Sequence, residues 1–259
     1  MQLRRSQILG SDAYDPMHNG PQRILNVPSA VLWLIGAIVA AHFALLFAPP
    51  AVMQSVLLSL AVIPARYADL FGVTAVSPFG VDFPTGFWAE AAPLFGHAFL
   101  HAGLGHLFFN ALWLLVFGAP TARRLGAENS VIGLSLFLAL FFFGAAAGAF
   151  TYVALNPAEG SLLVGASGGV SALMGAAARF ALRPVAPWET GRPPLAPLND
   201  RGVVGFTMVW IVINAVMGLA AVAPFASGLS VAWEAHLGGY FFGLLAISPL
   251  DRAARAALR

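Results

Sequence analysis

Residues 130–153 read SVIGLSLFLALFFFGAAAGAFTYV, twenty-four positions without one charged side chain. A hydrocarbon core about 30 Å thick needs roughly 20 apolar helical residues to cross it, so this stretch decides the class of fold. Comparable apolar runs at about 28–48, 94–118, 165–182, 203–223 and 231–250 bring the candidate spans to six. Pro49-Pro50, Pro120, Pro157, the Pro184–Pro197 cluster, Pro224 and Pro249 punctuate the gaps. Composition agrees. Of 259 residues, 59% are hydrophobic and 9% charged, against roughly 25% charged in an average soluble domain. The runs lack the alternation of a membrane barrel, and open sheet edges cannot face lipid. The expectation is an all-α polytopic membrane protein: a six-transmembrane-helix bundle over 28–250 between cytoplasmic tails at 1–27 and 251–259. The first apolar run is too long for the core of a cleavable signal, so none is expected.

The charges orient the bundle and remove whole classes of function. All thirteen basic residues are Arg. Arg4, Arg5 and Arg23 precede span 1; Arg123 and Arg124 follow span 2. Arg179, Arg183, Arg192 and Arg201 lie around the next inner connection, and Arg252, Arg255 and Arg259 follow span 6. Only Arg66 falls on the opposite side, a bias that puts both termini in the cytoplasm. Without Lys there is no Schiff-base or P-loop lysine chemistry. Without Cys there is no disulfide, thiolate zinc site or iron–sulfur cluster. Thin, scattered basic residues give no nucleic-acid face. The eleven acidic residues fall in tails, loops or span ends, which argues against a proton- or sodium-coupled carrier. No metal or cofactor is expected. Loop 1 (about 49–93) is long and rich in Phe, Trp and Pro, and is expected to lie partly in the outer leaflet. The loops near 155–164 and 224–230 are short.

Polar side chains within a bilayer are costly and mark function by default. The spans hold His42, His97, His101, His106, Asn110, Ser167, Ser171, Asn214 and His236. His106, Ser167 and His236 each lie 16 or 17 residues before an Arg at the inner boundary: Arg123, Arg183 and Arg252. At 1.5 Å per residue that is about 24–26 Å. Three helices should therefore bring Ser, His and His to one depth, some 4–6 Å below the outer edge of the core.

Ser167 lies in Gly165-Ala166-Ser167-Gly168-Gly169, opening span 4. Glycines admit close backbone approach, and a helix N-terminus offers free N–H groups to an anion. An alcohol needs a base before it attacks a carbonyl, and His236 is the base available on the later spans. His106 and Asn110, at i and i+4, share a helical face and can both donate to an oxyanion beside the Ser167 N–H. Glu234 lies about 200° around the helix from His236. The pattern is a Ser–His dyad.

These residues resemble the rhomboid intramembrane serine proteases. Three motifs carry the resemblance: His101-x4-His106-x3-Asn110, Gly165-x-Ser167-Gly168, and Ala235-His236-x-x-Gly239-x-x-x-Gly243. It implies Ser167 as nucleophile and His236 as general base, with His106, Asn110 and the Ser167 N–H in the oxyanion hole. It also implies His101 as a support for loop 1, with Gly165, Gly168, Gly239 and Gly243 shaping the site. The substrates would be single-pass or polytopic membrane proteins, cut within a lipid bilayer. A bacterial inner membrane and an active site open to its outer side are implied as well. Two positions depart from the family. Many members place an aromatic residue four after the serine, where this chain has Ser171. Many carry Trp-Arg in loop 1, for which Pro64-Ala65-Arg66-Tyr67 is the nearby analogue.

Blander readings stand beside these. A serine at a helix start is usually a cap. His42 reads as a satisfied interfacial residue, His97 as loop support, Asn214 as an interhelical hydrogen bond, and the Arg residues as orientation signals. Gly144-x-x-x-Gly148 and Gly239-x-x-x-Gly243 read as packing surfaces, the second against Gly168, Ser171, Ala172 and Gly175. Two other functions compete: a catalytically inactive rhomboid-like binder of client helices, and a b-type haem protein with His106 and His236 as axial ligands.

Overall fold

The computed structural model describes residues 27–77, 80, 83–181, 192–221 and 231–257. Arg4, Arg5, Arg23, His18, Arg183, Arg259, Pro224 and the 224–230 loop lie outside them, as does most of the Pro184–Pro197 cluster. Pro28, in an extended conformation, precedes helix α1 (Ser29–Leu46), which stops short of Pro49-Pro50. Loop 1 then folds into helices of its own: α2 (Pro50–Leu60), a 3-10 helix (Pro64–Phe71) and α3 (Phe87–Gly96). Arg66 pins them together. Its guanidinium donates to the carbonyls of Leu58 and Ala89 and lies 5.0 Å from the centre of the Phe83 ring. The Tyr67 hydroxyl donates to the Glu90 carbonyl at 2.8 Å, and burial pushes that phenol up to about 12, so it remains a protonated donor.

The second span begins ten residues later than the apolar run suggests. Leu100 is extended (φ −95, ψ 135), and α4 starts only at Leu104 (Leu104–Trp113). A π-helical turn (Leu114–Gly118) and α5 (Ala119–Leu125) continue it without a break. Pro120 therefore lies inside this helix and not in a gap. The widened turn just before it absorbs the carbonyl that its ring would otherwise strike. Gly126, with φ 74, ends α5. Ser130 caps α6 (Val131–Leu155) by accepting from the Gly133 N–H at 2.9 Å.

The remaining helices are α7 (Ser167–Ala178), α8 (Arg201–Ala221) and α9 (Trp233–Ala257). The expected span 165–182 shortens to α7, whose twelve residues reach only about 18 Å. The count from Ser167 to Arg183 thus does not run along one helix. At the other end, α9 passes through Pro249, so residues 251–257 of the expected tail continue the helix. Among the described residues, four helices are long and apolar enough to cross a membrane: α1, the continuous 104–125 helix, α6 and α8.

Small residues decide the packing. Every residue from Gly168 to Ala178 is buried, so α7 is enclosed by its neighbours. A Cβ on Gly144 would stand 2.2 Å from that of Ala172, and one on Gly148 2.5 Å from the Ala235 carbonyl oxygen. A Cβ on Gly239 would stand 2.1 Å from the Gly168 oxygen, and one on Gly243 1.8 Å from the Ala172 oxygen. Backbone meets backbone along α6, α7 and α9.

The arginine-rich end does more than orient the bundle. Arg124 is buried against Asp251, which also binds Arg192 and Arg255. Arg179, also buried, donates to the Ala196 carbonyl at 2.9 Å and to the Ser248 hydroxyl. Burial opposes the charge on Asp251, but the Arg124 and Arg255 guanidiniums outweigh it and hold the carboxyl below its ordinary range.

Candidate active site

Gly165 shapes the approach to α7. Its φ of +122 is open to glycine and strained for any side chain. Its N–H donates to the His97 carbonyl at 2.9 Å, tying this turn to the one before α4. Ala166 precedes the helix without a side-chain cap, and Ser167 is the first helical residue, so its hydroxyl is not a cap. Val170 is the residue whose N–H meets the Ala166 carbonyl, at 2.9 Å. The Ser167 N–H precedes that ladder, as the first N–H groups of a helix do.

His106 packs directly on this turn. A Cβ on Gly165 would stand 2.7 Å from His106 Nε2 and 3.8 Å from Ser167 Oγ. The Ala102 N–H donates to His106 Nδ1 at 3.4 Å, so Nδ1 accepts and Nε2 carries the hydrogen in the neutral ring. That N–H lies on the serine side. Asn110 is buried, and its Nδ2 donates to the His106 carbonyl at 2.9 Å, which leaves one amide hydrogen for another acceptor.

His236 reaches the site from the first turn of α9. The Gly239–Gly168 contact sets its helix against the opening of α7. Among the described residues its ring hydrogen-bonds to Asn214 and not to Ser167: Nδ1 lies 3.0 Å from Asn214 Oδ1. The Trp210 ring stands 6.1 Å away, tilted by 36°. Both partners come from α8, one turn apart. Sequence reading placed Asn214 in an interhelical bond but not on this histidine; spacing along α8 does not say which helix that face meets. Glu234 turns elsewhere, accepting from Asn156 at 3.3 Å.

Among the described residues the His101 ring makes no hydrogen bond to loop 1. It lies between His42 and His106, with centroid separations of 6.4 and 5.1 Å. Both of its ring nitrogens are buried without a hydrogen-bond partner among the described residues. Backbone ties loop 1 to the loop after α6. Val62 and Leu163 exchange hydrogen bonds at 3.2 and 2.8 Å, and the Ala65 N–H donates to the Glu159 carbonyl at 2.9 Å.

An all-α multi-pass membrane protein with a hydroxyl, imidazoles and amides gathered at the mouth of an enclosed helix is the class these features define. Residues 87–252 match the Rhomboid domain, and the chain belongs to the rhomboid family. It is 32% identical over 151 residues to Rhomboid protease GlpG of Serratia proteamaculans (strain 568), covering 58% of this chain and 44% of that protein. Rhomboid protease GlpG of Yersinia pestis (strain Pestoides F) is similar to the same extent. The chain matches less than half the length of these relatives.

Proposed function

We propose that this chain is an intramembrane serine endopeptidase acting on transmembrane segments of other membrane proteins. The observation that carries the reading is the α7–α9 seam, where glycine contacts bring the helix starts bearing Ser167 and His236 together. His236 Nε2 takes the Ser167 proton as Oγ attacks the scissile carbonyl carbon. The oxyanion is held by the Ser167 N–H, His106 Nε2–H and the second Asn110 amide hydrogen. The His236 imidazolium then protonates the departing amine. Water, deprotonated by the same imidazole, releases the acyl group.

The arginine bias supports cytoplasmic termini and a site opening to the outer side. A substrate carbonyl must leave its own helix to be attacked, so cuts belong near the outer end of a client segment, beside Gly, Pro or polar residues and after a small side chain. A haem between His106 and His236 fits poorly, because Gly165 packs against the very nitrogen that would bind iron. The test is fluorophosphonate labelling of the purified protein, with mass spectrometry of products from a single-pass reporter. Labelling at Ser167 and cuts in the outer third support the enzyme. A clean, unlabelled protein that still captures the reporter supports the inactive binder.

A further inference from the structure

We infer that Asn214 is the positioning residue of His236, fixing its tautomer from α8. The inference rests on the peptidase reading, with His236 as base. A histidine base must present a bare ring nitrogen, and in neutral imidazole only one nitrogen is bare. The neighbours decide which. Asn214 Nδ2 donates to the Trp210 carbonyl at 2.8 Å. That oxygen can only accept, so the amide cannot be flipped without setting two oxygens against each other. The Asn214 oxygen therefore faces His236 Nδ1 at 3.0 Å, and an oxygen can only accept there too. Nδ1 must carry the hydrogen. Nε2 is left with its lone pair, as the base requires.

The surroundings make this bond hard to replace. Asn214 is fully buried, so water does not substitute for it. Ser171, four residues after the nucleophile, offers no ring, and the aromatic wall comes from α8 as Trp210, itself 6.3 Å from Tyr240. Among the described residues no carboxylate competes. On α9, Glu234 binds Asn156; in the loop after α6, Glu159 binds Tyr152 and Ser161. α4 contributes His106, and α7 contributes the Ser167 hydroxyl. The arrangement is a serine counterpart of the Cys-His-Asn sites found on other folds. A neutral acceptor orients the ring without the strong pull a carboxylate exerts on its proton.

The experiment is kinetics of the full chain in detergent, on one single-pass reporter, for wild type, Ser167→Ala, Asn214→Ala and Asn214→Asp. Thermal unfolding of each variant runs alongside. For Asn214→Ala the expected result is a kcat lower by about 10- to 100-fold, the scale of losing an outer hydrogen bond that orients a histidine, with KM little changed. For Asn214→Asp it is retained turnover with the acidic limb of the kcat profile moved to higher pH by roughly one unit or more, because a carboxylate beside imidazole favours its charged form. An asparagine that only packs, away from the His236 ring, would move neither. Wild-type kcat and an unshifted limb in both variants, with Ser167→Ala inactive, overturn the positioning role alone. If Asn214→Ala does not fold, the Asn214→Asp profile decides by itself. Cleavage by Ser167→Ala at the wild-type rate overturns the peptidase reading, and this inference with it.

Discussion

Arg124 Nε donates to Asp251 Oδ1 at 2.9 Å and Arg124 Nη2 to Oδ2 at 3.2 Å, joining α5 to α9 across side chains only 4% and 5% exposed. Removing one partner of a buried pair leaves the other charge uncompensated. Asp251→Asn should therefore destabilise the fold by about 3–5 kcal/mol, read as the shift in unfolding in detergent. The pH dependence follows from the lowered carboxyl. A depressed folded value contributes stability in full above the ordinary carboxylate range, and that contribution disappears as pH falls through the depressed value. Wild type should lose stability in that acidic window, while Asp251→Asn should show a flatter profile there.

On the proposed mechanism, removing the Ser167 hydroxyl removes the group that would form the acyl-enzyme. Ser167→Ala should lower turnover by ~10⁴-fold or more, by analogy with soluble serine hydrolases. The serine is not a cap, so the unfolding temperature should hardly move. Substantial residual cleavage by the purified variant would remove the serine from the mechanism.

Span 2 offers two donors of unequal freedom. His106 Nε2 carries its hydrogen because Nδ1 is occupied, whereas Asn110 spends one amide hydrogen on the His106 carbonyl. Losing an oxyanion donor typically costs about 10²–10³ in rate. His106→Ala should fall in that range and Asn110→Ala at or below its lower end, with the double variant worse than either. Full activity in all three would mean that α4 does not face the oxyanion.

Two glycines in apolar helices should answer oppositely to alanine. At Gly243 the new methyl would meet the Ala172 oxygen at 1.8 Å. Overpacking of this kind costs about 1–3 kcal/mol, and here it also prises α9 from α7, so activity should fall with stability. At Gly205 nothing lies within 4 Å. Gly205→Ala should be neutral or stabilising by up to ~1 kcal/mol, from helix propensity alone. Comparing the two by detergent unfolding separates seam from surface.

Apolar run length made α1, α6 and α8 legible in the sequence, because membrane helices satisfy their own backbone and announce themselves by composition. The same sum failed where apolar residues do something other than span. It carried span 2 back to residue 94 across the extended Leu100, and extended α7 past Ala178, since Phe180 and Ala181 are apolar but not helical. It also hid the helices of loop 1. His106 and His236 were legible through the depth count, which runs along helix to Arg123 and Arg252, and Asn110 through its spacing from His106. Ser167, whose helix ends before Arg183, was singled out by its glycine-flanked motif and not by spacing. Asn214 on His236 was not legible, since helical phase tells which residues share a face but not which neighbouring helix that face meets.

Helix α7 has almost no lipid-facing surface, as every residue from Gly168 to Ala178 is covered. Mismatch between a protein and its bilayer acts on helices that touch acyl chains, by tilting them or thinning the lipid around them. α1 and α8, which expose Trp33, Met208 and Val212, feel that force directly. α7 receives it through its neighbours, above all along the seams with α6 and α9, in which backbone already touches backbone. The protein thus carries its own depth gauge: in thicker or thinner membranes the outer helices lean, while the Ser167 hydroxyl keeps its level relative to the core that holds it.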